Sequence, residues 1–474
     1  MTTRSGGTVA AVDLGATSGR VLLAQVGPRD LRLTDVARFQ NSPVRTLDGL
    51  HWSILELYRE VVEGLAAAVR HEPGLASIGI DSWAVDYALL RGGRLAGAPY
   101  SYRDERTAAG VDAVHAIVGP EELYRRNGLQ HLPFNTLFQL TADRLAGSLE
   151  GADSFLLVPD LVAYWLTGTA VAERTNASTT GLLGVADREW DLDLADLLHL
   201  PARIFPPLVE AGTELGGLTP SAIRGVGRTD AVVTAVGTHD TASAIVAVPA
   251  TTTAYAYISC GTWSLVGVEL EHPVSTPASR AAGFTNEGGV DGRVRFLHNV
   301  MGLWLLSECI REWERDGSTV SLATLLGQAA AVTTRVPIFD ADDEAFLAPG
   351  DMPARIAAWL TARDLPVPRS RPELVRSILE SLAAAYASAI RAASELSGRT
   401  VEVVHLVGGG SLNELLCRLT ADATGLPVLA GPVEATAIGN VLVQARAQGF
   451  VTGDLETLRA LVATAFPPRR YEVG

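Results

Sequence analysis

No lysine occurs anywhere in the 474 residues; all 38 basic side chains are arginine. A Walker-type phosphate loop sets a lysine on the terminal phosphates, so the chain holds no P-loop of that kind. Schiff-base and pyridoxal-phosphate chemistry need a lysine amine and are excluded with it. The protein-kinase arrangement, built on a strand lysine, is excluded too. Any phosphoryl transfer must use another phosphate cradle. Cysteine is nearly as scarce. Cys260, Cys309 and Cys417 are far apart, odd in number and form no C-x-x-C, which argues against a disulfide framework or zinc site and for buried thiols. No apolar run approaches the ~18 residues of a membrane helix. Met1–Gly7 is short and polar, without a signal-peptide core, so a cytoplasmic protein with no membrane partner is expected. No arginine cluster forms a basic face, and the net charge is -15; a nucleic-acid partner is not expected.

What is present supports a large core: 47% hydrophobic and 19% charged residues, a globular profile. The length implies more than one domain. Thr8 to Val26 reads as strand, tight polar turn, strand. Val9-Ala10-Ala11-Val12 ends at Asp13, and Gly15-Ala16-Thr17-Ser18-Gly19-Arg20 leads into Val21-Leu22-Leu23-Ala24. The pattern returns mid-chain, with Thr253 to Ile258, the turn Ser259-Cys260-Gly261-Thr262-Trp263-Ser264, and Leu265 to Glu269. A repeat at half the chain length predicts two related α/β halves, 1–248 and 249–474, each carrying one turn into a shared cleft. Helices are predicted over Ser53–His71, with Leu55, Leu57, Val61, Val62, Leu65 and Val69 as the apolar face, and over Asn299–Trp313, Glu373–Leu396 and Ser411–Thr424. Gly398 follows the third, where a C-terminal glycine belongs. A buried strand, Ser77 to Ile80, ends at Asp81. Residues 201–220 are rich in proline and glycine and read as a surface excursion.

The two turns offer backbone N–H groups and hydroxyls that cradle phosphates without a lysine. Asp13, at the end of the first strand, is placed to hold a hydrated Mg²⁺ beside them. Alone, each turn is a weak signal that reads first as a plain hairpin; two of them in a repeated setting, with an aspartate at the end of the first strand, favour the phosphate reading. Gly408-Gly409-Gly410-Ser411-Leu412-Asn413 lies between strand and helix, where α/β folds place ligands and where a helix N-terminus faces an anion; tight strand-to-helix turns look the same. In Gly237-Thr238-His239-Asp240-Thr241-Ala242-Ser243, Asp240 is either a helix cap or a general base for an attacking hydroxyl. Asp81-Ser82-Trp83-Ala84-Val85-Asp86 pairs an aromatic ring with carboxylates. That set suits a sugar, and it suits equally a core tryptophan flanked by two solvated acids.

These segments resemble, in order and over almost the whole chain, the FGGY family of carbohydrate kinases. Val12 to Arg20 resembles the family's opening, and its Ser-Gly-Arg ending is similar to that of the rhamnulokinase branch. Gly79 to Tyr87, Tyr102-Arg103-Asp104, Phe134 to Leu140, Thr175 to Thr180, His239 to Ser243, Ser259 to Ser264, Asn286 to Gly289, Asn299 to Leu305, His405 to Asn413 and Gly431 to Asn440 continue the series. The resemblance implies an α/β, two-domain actin/hexokinase-like (ribonuclease H-like) ATPase fold. It implies transfer of the γ-phosphate of ATP to the 1-hydroxyl of L-rhamnulose, giving L-rhamnulose 1-phosphate and ADP, with Mg²⁺. Asp240 matches the catalytic base, and His239, Thr241 and Asn299 match sugar contacts, with Trp83, Ala84 and Asp86 lining the sugar. Gly15, Ala16, Thr17, Ser18, Gly19, Arg20, Gly261, Thr262, Gly409, Gly410 and Asn413 fall to ATP.

Three positions depart from the branch. Ala84 stands where it has a glycine against the sugar, so the added methyl narrows or reshapes the pocket. His298 replaces a lysine. Ser307 replaces a glutamine that contacts the nucleotide. Ala84 favours an alternative ketose, L-fuculose or xylulose. A non-catalytic nucleotide- or sugar-binding regulator of the same fold is the reading from another class; an intact Asp240 segment argues against it. The partners expected are a ketose and ATP, the oligomeric state monomer or homodimer.

Overall fold

The computed structural model describes residues 6–474. Its contacts divide the chain into two units. The first runs to Ala247 and includes Glu269–Phe296 and Ala435–Ala465; the second comprises Val248–Val268, Leu297–Glu434 and Phe466–Gly474.

The first unit is built on β1 (Gly7–Leu14), β2 (Ser18–Val26), β3 (Leu31–Gln40), β4 (Ser77–Ser82), β5 (Glu214–Gly217) and β6 (Val232–Thr234), in the order β5-β6-β4-β1-β2-β3. β1 pairs antiparallel with β2 and parallel with β4, and β4 pairs parallel with β6. As a central strand covered on both faces, β1 cannot alternate polar and apolar residues; Val9, Ala10, Ala11 and Val12 are all fully buried. The helix Ile54–His71 covers one face with Ile54, Leu57, Val61, Leu65, Ala68 and Val69. Leu55, expected on that apolar face, is 66% exposed. The helix Ala435–Ala447 also packs on β1, where Gln444 Nε2 donates to Ala10 O at 3.0 Å.

A second, seven-stranded sheet uses β7 (Tyr255–Cys260), β8 (Ser264–Leu270), β9 (Val294–Val300), β10 (Val403–Val407), β11 (Val428–Ala430) and β12 (Arg469–Tyr471), in the order β9-β8-β7-β10-β11-β12, with Thr285–Gly288 at its edge beside β9. β7 is antiparallel to β8 and parallel to β10, which is parallel to β11. Each sheet thus begins with a hairpin whose first strand also opens the parallel set. In both, the small-residue turn is the hairpin link. The helix Arg371–Ser397 ends on Gly398 at φ 69°, as the glycine predicts.

Three local expectations need correction. Asn299 lies on β9, and the helix begins only at Trp304. Leu303 N and Trp304 N are engaged by Gly261 O and Thr262 O, both at 3.1 Å, so this stretch supports the β7–β8 turn instead of a longer helix. Ser411 belongs to a 3₁₀ turn, Gly409–Leu412; the α-helix is Glu414–Thr424, with Asn413 as its cap. Glu214–Gly217, within the proline- and glycine-rich excursion, is the β5 strand. No helix among the described residues is long and apolar enough to cross a membrane. All three cysteines are buried free thiols, as their spacing predicts.

Candidate active site

In the first unit three carboxylates gather at the carboxyl ends of strands, where α/β sheets bind ligands. Asp13 is near the end of β1, Asp81 is its register partner in β4, and Asp240 opens the helix Asp240–Val246 that follows β6. Ser82 N donates to Thr238 O at 2.9 Å, tying β4 to the segment that delivers Asp240. Close helix packing holds that helix from behind. A Cβ on Gly439, in Ala435–Ala447, would lie 1.8 Å from Ser243 O, so only glycine permits the approach.

Asp13 is held by Arg20, its partner across the hairpin, whose Nε and Nη2 donate to Oδ2 at 2.9 and 2.6 Å. Asp81 is fully buried. Its Oδ2 accepts from Asn440 Nδ2 at 2.5 Å, while Oδ1 has no hydrogen-bond partner among the described residues. Burial, then the Asp13 carboxylate, push the Asp81 carboxyl well above the usual carboxylate range. Asp240 is half-buried, and burial raises its carboxyl too, against the lowering effect of His239 and of the bonds from Thr241. Those bonds fall on one oxygen: Thr241 N and Oγ1 donate to Oδ1 at 2.5 and 3.2 Å. His239 Nε2 lies 3.4 Å from the same oxygen. Oδ2 carries none of these contacts. Glu173 steadies the approach to this pair, its Oε2 accepting from Thr238 N and Oγ1 at 3.0 and 3.1 Å.

The β1–β2 turn is closed by Gly15 N donating to Ser18 O at 2.8 Å, and Asn41 Nδ2 donates to Gly15 O at 2.9 Å. Ala16 is half-buried, Thr17 and Ser18 are exposed, and Gly19 is buried against the Phe39 ring.

Of the Asp81–Asp86 segment, Trp83 belongs to the core and Ala84 packs half-buried against it. Neither acid is solvated: Asp86, like Asp81, is fully buried. Asp86 Oδ2 accepts from Trp52 Nε1 at 2.6 Å, Trp83 Nε1 at 3.0 Å and Tyr102 N at 3.1 Å; Oδ1 accepts from Gln139 Nε2 at 3.0 Å. Burial still carries its pKa up to about 6. Between them Val85 sits at φ 67°, strained for a β-branched residue. Its carbonyl is pinned by Thr136 Oγ1 at 2.7 Å.

The second unit brings together another set. Gly261 and Thr262 form the β7–β8 turn, closed by Gly261 N donating to Trp263 O at 2.8 Å. The helix bearing the exposed Ser307 starts against that turn. A Cβ on Gly410 would lie 2.2 Å from Cys260 Sγ, so this glycine is needed for packing beside the turn, whereas one on Gly409 would meet nothing. Asn413 Oδ1 is occupied in capping, accepting from Leu416 N at 3.1 Å. Asn299 sits half-buried on β9.

Glu173, Glu287, Arg295 and Asn440 are site residues that the sequence reading does not single out. A charged residue within an apolar strand, as in Val294-Arg295-Phe296-Leu297, was the available signal.

Family models match both parts of the chain: the N-terminal domain of the FGGY family of carbohydrate kinases over residues 8–247, and its C-terminal domain over 256–448. A rhamnulokinase of Bacteroides thetaiotaomicron is 40% identical over 464 residues, covering 97% of this chain and 95% of that protein. One from Pectobacterium atrosepticum is 42% identical over 468 residues, covering 98% and 92%. Among solved structures, ligand-bound xylulose kinase from Lactobacillus acidophilus superposes with a TM-score of 0.80 at 15% identity, over 98% of this chain and 94% of that one. Plasmodium falciparum glycerol kinase with ADP gives 0.78 at 12% identity, over 98% and 94%. The fold is therefore the two-domain actin-like ATPase fold expected from the motifs, and the chain belongs to the FGGY family of carbohydrate kinases.

Proposed function

We propose that the chain is an ATP-dependent rhamnulokinase that transfers the γ-phosphate to the 1-hydroxyl of L-rhamnulose, giving L-rhamnulose 1-phosphate and ADP. The relatives named rhamnulokinase, 38–42% identical over 92–98% of the chain, support the substrate. The observation that carries the chemistry is the division of labour on Asp240. Oδ1 is engaged by Thr241 and approached by His239, which leaves Oδ2 for the substrate. Oδ2 takes the proton of the 1-hydroxyl as that oxygen bonds to the γ-phosphorus and the bond to ADP breaks. Partial burial keeps the base poised and water scarce around it.

In this reading the nucleotide contacts within the first unit are Arg20 and the Gly15–Gly19 turn, and the candidates within the second unit are Gly261, Thr262, Ser307 and Gly409. The site also suits a hydrated Mg²⁺. Asp13 stands at the strand end, Asp81 Oδ1 is a buried oxygen without a partner, and among the described residues no three acid, His or Cys side chains are set to ligate a metal directly. Binding through water at Asp13 matches that donor set. Mg²⁺ would supply charge neutralisation on the phosphates.

The test is ADP release with L-rhamnulose, L-fuculose and L-xylulose. The highest kcat/KM is expected on L-rhamnulose. A higher value on either other ketose would move the substrate assignment, and no release with any sugar would leave the non-catalytic reading.

A further inference from the structure

We propose that Arg295, braced by Glu287, fixes the ring proton of His239 on Nε2 and so aims an N–H at Oδ1 of Asp240. Both are positioning residues for the reaction above, and only the kinetic arm of the test rests on that reading. Arg295, near the start of β9, is the largest side chain wholly withdrawn from solvent among the described residues. Its Nη2 lies 2.9 Å from His239 Nδ1 and 3.0 Å from Glu287 Oε2, and its Nε donates to Gly288 O at 3.0 Å.

A guanidinium keeps its protons and has no acceptor. Facing it, His239 Nδ1 presents a lone pair. That rules out the imidazolium and the tautomer with hydrogen on Nδ1, since either would set two N–H groups against each other. Glu287 Oε2 also lies near Nδ1, but at 3.4 Å, and the closer arginine decides. The proton of the neutral ring is then on Nε2, which lies 3.4 Å from Asp240 Oδ1. Glu287 has a separate task. A lone buried guanidinium would be severely penalised, and the carboxylate offsets it.

The tautomer matters because the alternative would turn a lone pair towards Oδ1 and repel the carboxylate. With Nε2–H in place, Oδ1 is surrounded by donors and Oδ2 keeps its orientation towards the substrate. Second partners that set a histidine's tautomer are a recurrent device in catalytic sites.

Histidine labelled with ¹⁵N in the full chain reads the tautomer at neutral pH by long-range ¹⁵N–¹H correlation, with His239→Asn assigning the ring. A protonated Nε2 and bare Nδ1 are expected. A protonated Nδ1 would overturn the proposal, whether or not any ketose is phosphorylated. The double variant Glu287→Gln/Arg295→Met removes both charges together and strands neither. Folded, it should lose the single-tautomer signature, with kcat down about 10- to 100-fold and the ATP KM within about two-fold. A retained Nε2 proton in that folded variant sinks the idea whatever kcat does. Should the variant fail to fold, the wild-type spectrum alone decides.

Discussion

Asp240 has its two carboxylate oxygens in different surroundings, and that asymmetry makes the residue testable. Asp240→Asn preserves shape and the bonds from Thr241 but removes the basic oxygen. Turnover is expected to fall by ~10²–10⁴, with nucleotide affinity by calorimetry unchanged; turnover within a few-fold of wild type would take Asp240 out of the chemistry. Ala84 is set beside a strained Val85 and cannot easily retreat. One methyl group against a sugar is worth ~1–3 kcal/mol of discrimination. Ala84→Gly should therefore change the kcat/KM ratio of L-rhamnulose to L-fuculose and L-xylulose, and identical ratios would mean that Ala84 does not touch the sugar. Asp86 makes a prediction about stability. Its folded pKa of about 6 lies above its unfolded value near 3.8, so the folded state binds more protons between those values, and stability falls as pH rises through that window. From pH 7 down to pH 5 the wild type should gain about 1 kcal/mol relative to Asp86→Asn. Parallel urea midpoints for the two proteins across that range would contradict the assignment.

The elements matter through how closely they approach. Ala435–Ala447 reaches the helix of Asp240 only because Gly439 has no side chain, and Asn440 on the next position bonds Asp81. The same short helix thus sets the depth of one carboxylate and holds another. Gly439→Val would force the two helices apart. Overpacking of this kind costs ~1–3 kcal/mol, and here the displacement is passed to Asp240. A lowered melting temperature and a loss of kcat larger than the loss of ATP affinity are expected. A fully active, equally stable variant would show that the helix can shift without moving the base. The β1–β2 and β7–β8 turns are likewise properties of elements: each joins a central strand to its antiparallel neighbour, and the six strands of the first sheet are matched in order by six of the seven in the second.

For the whole molecule the absence of lysine becomes an experimental handle. The phosphate contacts proposed above are backbone amides, hydroxyls and arginine, and with no lysine in the sequence amine-acylating reagents have no lysine target. Kinase activity should survive such a reagent at saturation. Phenylglyoxal, which attacks guanidinium groups, should abolish it, and a non-hydrolysable ATP analogue should protect through Arg20. Inactivation by the amine reagent would count against a phosphate site made without amines.

The sequence by itself determined whatever depends on neighbours along the chain. Strand-turn-strand units repeated at half the chain length, a helix ending on Gly398 and buried lone cysteines all follow from local pattern and composition. Its ordered motifs also carried the family. Tertiary structure decided what depends on partners far away. Asp81 and Asp86 read equally as sugar-facing or solvated acids, because burial is set by what packs over them: Asn440, 359 residues on, for one, and Trp52, Tyr102 and Gln139 for the other. Asn299 reads as helical because an apolar run fits helix and buried strand alike; pairing beside β8 makes it a strand, and the bonds from Leu303 and Trp304 to the β7–β8 turn hold the helix start beyond it. Arg295 showed only as a charge in an apolar strand. Its meaning came from His239 and Glu287, which the fold alone brings to it, and a buried charge is tolerable only where such partners converge.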